Sequence, residues 1–128
     1  AMKELEGRAV TPAPSNMTTV PTEIWENRTS MTIERREILV GTGGEGLWRG
    51  GDGQRVVFRN DSNHSFEFAL MGQRTECAAK GFAGGGEGGL RSYHVNGKVV
   101  DPKARIQIMP GDCITMIEAG GGGYGKVN

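Results

Sequence analysis

The chain has 128 residues, enough for one domain with a modest hydrophobic core. Its 15 Lys and Arg residues balance 15 Asp and Glu residues, so no net charge is available to attract nucleic acid or an anionic membrane. No apolar run approaches the roughly 20 residues that a membrane-spanning helix needs, and no signal peptide is visible. We therefore expect a cytoplasmic protein with no nucleic-acid or membrane partner, in which Cys77 and Cys113 are free thiols.

Residues 1–24 are rich in Pro, Thr and Ser and lack hydrophobic periodicity. This composition predicts an extended or disordered lead-in, followed by a β domain over residues 25–128. Residues 31–40 fit either a helix or a strand, and their β-branched flanks favour a strand. Residues 55–60 form a short β-prone run, and residues 65–71 alternate between apolar and polar side chains, which predicts a half-buried strand.

Two turns are predicted by their residue types. Asn96-Gly97 lies between two β-prone triplets and suits the two positive-φ positions of a type I′ hairpin turn. Pro110-Gly111 suits a type II turn, between strands over residues 105–109 and 113–118. The predicted fold class is all-β and mainly antiparallel, a small barrel or sandwich of short strands with long glycine-rich loops.

Glycine is unevenly distributed along the chain. Of 22 glycines, seven lie in residues 41–53, six in residues 81–89 and five in residues 120–125. Such clustering predicts three places where the backbone adopts positive φ or approaches another group closely.

The clusters contain near-matches to nucleotide-binding motifs, but their context is wrong. Gly41-x-Gly43-x-x-Gly46 and Gly84-x-Gly86-x-x-Gly89 are not followed by helical sequence, so no helix N-terminus would face a pyrophosphate. In the tail, Val127 stands where a phosphate loop after Gly125-Lys126 has Ser or Thr. We therefore predict no cofactor site in this segment.

Charged residues beside the glycine clusters are candidates for binding an anion. Arg49 and Asp52 lie in the first cluster, and Arg74 precedes the second. A fixed arginine is the usual partner of a carboxylate or phosphate, and the alternative is an Arg–Asp pair that locks the loop. Trp48 is predicted to plug its loop. His64 and His94 have no carboxylate at ligand spacing, so no metal site is predicted.

The order of the motifs resembles the C-terminal portion of the hydantoinase B/5-oxoprolinase family. The motifs are GTGGEGLWRGGDGQR, then Arg74 ahead of GFAGGGEGG, then the hairpin, Met-Pro-Gly-Asp and GGGGYG. The preceding NMTTVPTEIWENR is also similar, so the resemblance covers about residues 16–126. Because family members are longer, it implies the C-terminal domain of an N-methylhydantoinase B-type subunit, inactive alone.

The resemblance also implies an activity and partners. The family opens cyclic amides such as hydantoins or 5-oxoproline with ATP, and the related acetone and acetophenone carboxylases use a similar subunit. A third alternative is a purely structural docking domain. ATP and a divalent metal are expected in the full complex, whose other parts are the remainder of this chain and a hydantoinase A-type subunit. The isolated chain is expected to self-associate.

In such an enzyme, exposed glycine N–H groups could stabilise developing oxyanion charge. Residues 49–52, 84–86 and 120–123 are the predicted wall elements, and no catalytic residue is assigned. The candidate substrate or interface residues are Arg49, Gly50, Gly51, Asp52, Arg74, Gly84, Gly85, Gly121, Gly122, Gly123 and Tyr124.

Overall fold

The computed structural model describes residues 1–10 and 20–127. In this part of the chain one helix precedes seven strands. They are α1 (Thr22–Thr29), β1 (Met31–Leu39), β2 (Gly53–Asn60), β3 (Phe66–Ala69), β4 (Ser92–Val95), β5 (Lys98–Val99), β6 (Arg105–Ile108) and β7 (Cys113–Ile117). The strands predicted from alternation are present, and residues 31–40 contain a strand rather than a helix.

The strands form two antiparallel sheets. A five-stranded sheet has the order β1-β2-β7-β4-β5, and β3 pairs with β6 in a two-stranded sheet. The sheets do not close into a barrel. The predicted all-β, mainly antiparallel class is therefore confirmed, in its sandwich form.

Side chains from both sheets meet in one core. Ile114 of β7 and Ile108 of β6 are fully buried, and Leu70 and Tyr93 are 4% and 3% exposed. The alternation predicted for β3 is confirmed, because its phenylalanines pack against this core while Glu67 between them is exposed. Burial of each large aliphatic side chain contributes about 1.5–3 kcal/mol.

Asn60 joins the two sheets at the end of β2. Its side chain is 1% exposed, and its Nδ2 donates to the carbonyl oxygens of His64 (2.9 Å) and Ile108 (3.1 Å). Its Oδ1 accepts from the N–H and the hydroxyl of Ser62 (3.0 and 2.7 Å). Both ends of this buried amide are therefore hydrogen-bonded, as the cost of burying an unpaired polar group requires.

Both predicted turns are confirmed. Asn96 and Gly97 have φ of 48° and 79°, as a type I′ turn requires at its two central residues. Gly111 has φ of 84°, and the N–H of Asp112 donates to the carbonyl of Met109 at 3.0 Å, which closes the second turn.

Helix α1 was not predicted. It begins at Thr22, so the predicted boundary between lead-in and domain at residue 24 falls inside it. The helix has no side-chain N-cap and no buried residue, so its sequence carries little helical signal. Instead it is held by its surroundings: Trp25 lies 4.7 Å from Phe58 between ring centroids, and Glu26 accepts the N–H of Ile33 at 2.8 Å. Residues 11–19, the proline-containing centre of the predicted lead-in, lie outside the described residues.

The three glycine clusters lie side by side and hydrogen-bond to one another. We call residues 41–53, 81–89 and 120–125 together the glycine bundle. The N–H of Gly44 donates to Gly121 (2.8 Å), that of Gly86 to Glu45 (2.6 Å) and that of Gly123 to Gly86 (3.0 Å), in each case to the backbone carbonyl. The bundle thus pairs much of its own backbone, as a closely packed backbone must.

Most of these glycines are required because a side chain at their positions would clash with the backbone of a neighbouring segment. A Cβ atom on Gly50, Gly120 or Gly123 would lie 2.0 Å from a carbonyl oxygen of the neighbouring segment. Among the glycines of the bundle, all of which the structure describes, only Gly41, Gly84 and Gly125 have positive φ. The predicted reason for the clusters is confirmed, and close approach accounts for more of them than positive φ does.

Candidate functional site

A cleft of about 830 Å³ opens where the glycine bundle meets the five-stranded sheet. An N-terminal arm, residues 1–10, forms its opposite wall. The volume falls within the range of about 300–1,000 Å³ that is typical of small-molecule sites. Three predicted candidates, Gly51, Asp52 and Gly121, lie on its lining.

The arm docks on the bundle through paired glycines. The N–H of Gly7 donates to the carbonyl of Arg49 at 2.7 Å. A Cβ on Gly7 would lie 2.2 Å from the nitrogen of Gly51, and one on Gly51 would lie 2.4 Å from the carbonyl oxygen of Arg8. The arm can therefore lie this close to the bundle only because Gly7 and Gly51 have no side chains.

The floor of the cleft belongs to the core-facing side of the five-stranded sheet. Residues directly opposite each other in an antiparallel pair point to the same face. Arg36 lies opposite Val56, Val56 opposite Met116, and Met116 opposite Tyr93, which is buried in the core. Arg36 therefore projects on the same face as the core residues.

The next row along this face carries Ile38 on β1 and polar residues beside it. Successive side chains on one face of a strand are two residues apart, so Gln54, Glu118 and Arg91 continue the face of Val56, Met116 and Tyr93. The N–H of Glu118 donates to the carbonyl of Gln54 at 2.8 Å, which keeps the row in register beyond the end of β7. All three polar residues line the cleft. On β2, β7 and β4 the inner face thus changes from apolar to polar where the cleft begins.

Arg91 and Glu118 form an ion pair within this row, through Nη2 and Oε2. Their side chains are only 28% and 23% exposed. The Arg91 Nε is buried and has no hydrogen-bond partner among the described residues. Beneath the pair, burial raises the pKa of the Tyr93 phenol, and the charge of Arg91 partly opposes this. The pair fixes both charges at the edge of the core.

Asp52 closes the first glycine loop. Its Oδ1 accepts the N–H groups of Gly41 (3.1 Å) and Gly43 (2.8 Å). The hydroxyl of Thr42 adds a bond to the carbonyl of Leu39 (2.7 Å) and accepts the N–H of Gly53 (2.8 Å). The carboxylate thus holds the loop through glycine N–H groups, while the neighbouring Arg49 is exposed.

Most of the glycines predicted to form an oxyanion-stabilising wall already donate their N–H groups within the bundle. Gly51, Gly84 and Gly122 are the remaining glycines of that wall. A contact of any wall glycine with substrate stays a prediction. The six that donate to backbone carbonyls are Gly50, Gly85, Gly86, Gly120, Gly121 and Gly123.

Tyr124 does not line the cleft and packs against two other aromatic rings. Its ring centroid is 5.7 Å from those of Trp48 and Phe82. Trp48 and Tyr124 also exchange both backbone N–H···O bonds, at 3.0 and 2.9 Å. Trp48 is half-buried against this layer, consistent with the predicted plug.

Arg74 lies apart from the cleft. It has a positive φ of 65°, and its Nη1 donates to the carbonyl of Ala78 at 3.2 Å. Its own carbonyl accepts the N–H of Arg91 at 2.9 Å, so it contacts the cleft only through the backbone. The structure therefore brings Gly51, Asp52 and Gly121 together and leaves Arg74 outside.

The sequence interpretation missed the four polar residues on the sheet side of the cleft, Arg36, Gln54, Arg91 and Glu118, as well as the arm. Within residues 1–10 and 20–127, no group of three or more His, Cys, Asp or Glu side chains is positioned to hold a metal ion. No helix in the same part of the chain has the length and apolarity to cross a bilayer. Both cysteines are free, as predicted.

Comparisons with known proteins agree with the motif order. The family model of hydantoinase B/oxoprolinase matches residues 1–127, which include the arm, the sandwich and the bundle. A 5-oxoprolinase of Dictyostelium discoideum is 30% identical over 110 residues, covering 81% of this chain and 8% of the relative. The 5-oxoprolinase PfmaA of Pestalotiopsis fici is 27% identical over 119 residues, covering 81% of this chain and 9% of the relative.

The chain thus spans less than a tenth of the length of these curated relatives. The predicted resemblance is confirmed by a family match over nearly every residue. The chain belongs to the hydantoinase B/oxoprolinase family.

Proposed function

We propose that this chain is part of an ATP-dependent hydrolase that opens the ring of a cyclic amide, either 5-oxoproline or a hydantoin. The observation that carries the proposal is the family match over residues 1–127, together with two relatives that are both 5-oxoprolinases. Because the chain corresponds to 8–9% of those relatives, we propose that it is inactive alone.

Our proposal places ATP and the divalent metal outside the residues that the structure describes. The glycine motifs are hydrogen-bonded to one another and are not followed by a helix, and no metal-ligand group is present in residues 1–10 and 20–127. We therefore assign both to other parts of the full complex, with the A-type subunit as the partner that handles ATP. This chain would supply a rigid bundle and the cleft beside it.

The test uses the full-length parent protein with its A-type partner. We expect phosphate release from ATP that depends on 5-oxoproline or hydantoin, and no turnover by the 128-residue chain alone. Bicarbonate-dependent consumption of acetone or acetophenone, without cyclic-amide turnover, would instead assign the chain to a carboxylase.

A second candidate is a docking domain that does not touch substrate. The bonding of six wall glycines inside the bundle favours it, because those N–H groups already have backbone partners. Arg49→Ala and Arg74→Ala in the full complex test it. Loss of turnover with intact assembly would contradict a docking role, whereas loss of assembly would support it.

We also propose a cytoplasmic location and self-association of the isolated chain. Several apolar side chains are strongly exposed, among them Met71 (85%) and Phe82 (72%). Exposed apolar surface of this kind favours association with another chain. Sedimentation at high concentration is expected to show dimers or larger species, and a strictly monomeric chain would contradict this part of the proposal.

A further inference from the structure

Two polar side chains lie in neighbouring rows of the inner sheet face, Arg36 opposite Val56 and Gln54 in the next row. Arg36 and Gln54 both line the cleft, and neither side chain makes a hydrogen bond or ion pair to any other residue in the part of the chain that the structure describes. The core-facing side of a sheet normally carries apolar residues. A guanidinium and an amide placed there, facing a cleft, are suited to bind a ligand.

Two of the three carboxylates that line the cleft are already bonded to groups other than Arg36. Asp52 accepts the N–H groups of the glycine loop, and Glu118 is paired with Arg91. The third acidic residue of the lining, Glu6, lies on the N-terminal arm across the cleft. Because Arg91 is already paired with Glu118, Arg36 is the arginine on this face of the sheet that remains available to an anion.

We propose that this cleft binds a small cyclic amide that carries a carboxylate, with Arg36 binding the carboxylate and Gln54 the ring amide. A planar guanidinium can bind a carboxylate through two parallel hydrogen bonds. A glutamine amide offers both a donor and an acceptor, which match the carbonyl and N–H of a lactam ring. This inference rests on the proposed function and narrows its substrate class.

The consequence is discrimination between the two proposed substrates. 5-Oxoproline carries a carboxylate on its ring, and hydantoin does not. A site built around Arg36 favours the first, because a ligand without the carboxylate leaves the guanidinium with water as its only partner.

The neighbouring Arg35 provides a matched control. It lies opposite Val57, whereas Arg36 lies opposite Val56, so the two arginines point to opposite faces of β1. Arg35 lines a separate hollow with Arg55 and His94. Both arginines are exposed, and both carry the same charge.

The experiment measures binding to the 128-residue chain by titration calorimetry, using L-5-oxoproline and 2-pyrrolidone, the same ring without the carboxylate. We expect 2-pyrrolidone to bind about tenfold more weakly or worse. Arg36→Gln should weaken 5-oxoproline binding about tenfold or more, Arg36→Lys should weaken it less, and Arg35→Gln should change it less than about twofold. Thermal melts confirm that each variant is folded.

Three results would overturn the inference: no binding of 5-oxoproline by the folded chain, equal binding of 2-pyrrolidone, or equal effects of Arg35→Gln and Arg36→Gln. Binding to the chain does not depend on turnover. A parent enzyme without cyclic-amide-dependent ATP hydrolysis would therefore overturn the proposed function, while the binding data decide the cleft separately.

Discussion

In the β sandwich, side chains such as those of Ile108 and Ile114 fill the space between two sheets, whereas in the glycine bundle backbone packs directly on backbone. The first region depends on the volume of its side chains, and the second on their absence. One added carbon should therefore destabilise the bundle more than one removed carbon destabilises the sandwich. Loss of a methyl group leaves only a small cavity, whereas a Cβ inside the bundle would clash with hydrogen-bonded backbone.

The largest expected effect is in the bundle. A Cβ on Gly123 would lie 2.0 Å from the carbonyl oxygen of Glu45, so Gly123→Ala should lower the free energy of unfolding by about 4 kcal/mol. Gly121 is the control in the same cluster, because a Cβ there would first meet Gly51 at an ordinary 3.4 Å. Gly121→Ala should stay within about 1 kcal/mol of the parent. Equal losses in urea unfolding would contradict backbone packing as the cause.

A smaller loss is expected where the sandwich depends on hydrogen bonds. Asn60→Ala would leave the buried carbonyl of Ile108 without its side-chain donor and the N–H of Ser62 without its acceptor, at a cost of about 2 kcal/mol. The exposed Asn63 is the matched control, and Asn63→Ala should change stability by less than about 0.5 kcal/mol. Urea midpoints compare the two variants, and a loss no larger for Asn60→Ala would show that its amide bonds contribute little.

Removing one carbon from the core should cost less again. Ile108→Val deletes a single methyl group from a fully buried side chain, for which about 1 kcal/mol is expected. Urea unfolding of Ile108→Val and Gly123→Ala under the same conditions compares the loss of stability in the sandwich directly with that in the bundle. A larger loss for Ile108→Val than for Gly123→Ala would contradict the expectation that the bundle is the more sensitive region.

The smallest expected effect depends on pH. Asp112 closes the Pro110-Gly111 turn, and the hydrogen bond from Asn96, followed by the N–H of Met109, lowers the pKa of its carboxyl. A pKa lowered on folding stabilises the protein above the unfolded value and ceases to do so as the pH falls through the folded value. Asp112→Asn should therefore lose less stability than the parent between about pH 5 and pH 3. The free energy of unfolding is measured against pH for both proteins, and parallel profiles for Asp112→Asn and the parent would contradict this role.

Local features of the fold could be predicted from the sequence, because their causes are local. Asn96-Gly97 and Pro110-Gly111 determine their own turns, and the alternation over residues 65–71 is visible without knowing its partner strand. Helix α1 lacked such a signal, since it has no capping side chain and is held by contacts made through Trp25 and Glu26.

The cleft could not be predicted, because it depends on contacts between distant segments. Arg36 lies in a run of four charged residues, 34–37, where apolar–polar alternation gives no indication of which side chain faces inward. Its direction is set by pairing with β2 after a register shift between Ile33 and Arg35. Gly7 gave no signal either, since its need for space arises only where it meets Gly51.

The central claim is that the three glycine clusters form one hydrogen-bonded unit. Hydrogen–deuterium exchange of individual backbone amides, followed by NMR, tests this most directly. The test uses three amides, those of Gly44, Gly86 and Gly123, each of which donates to a carbonyl of another cluster. Their hydrogens should exchange about as slowly as the amide hydrogen of Ile114 in β7. Exchange of these glycine amides at the rate of an unfolded chain, while β7 remains protected, would contradict it.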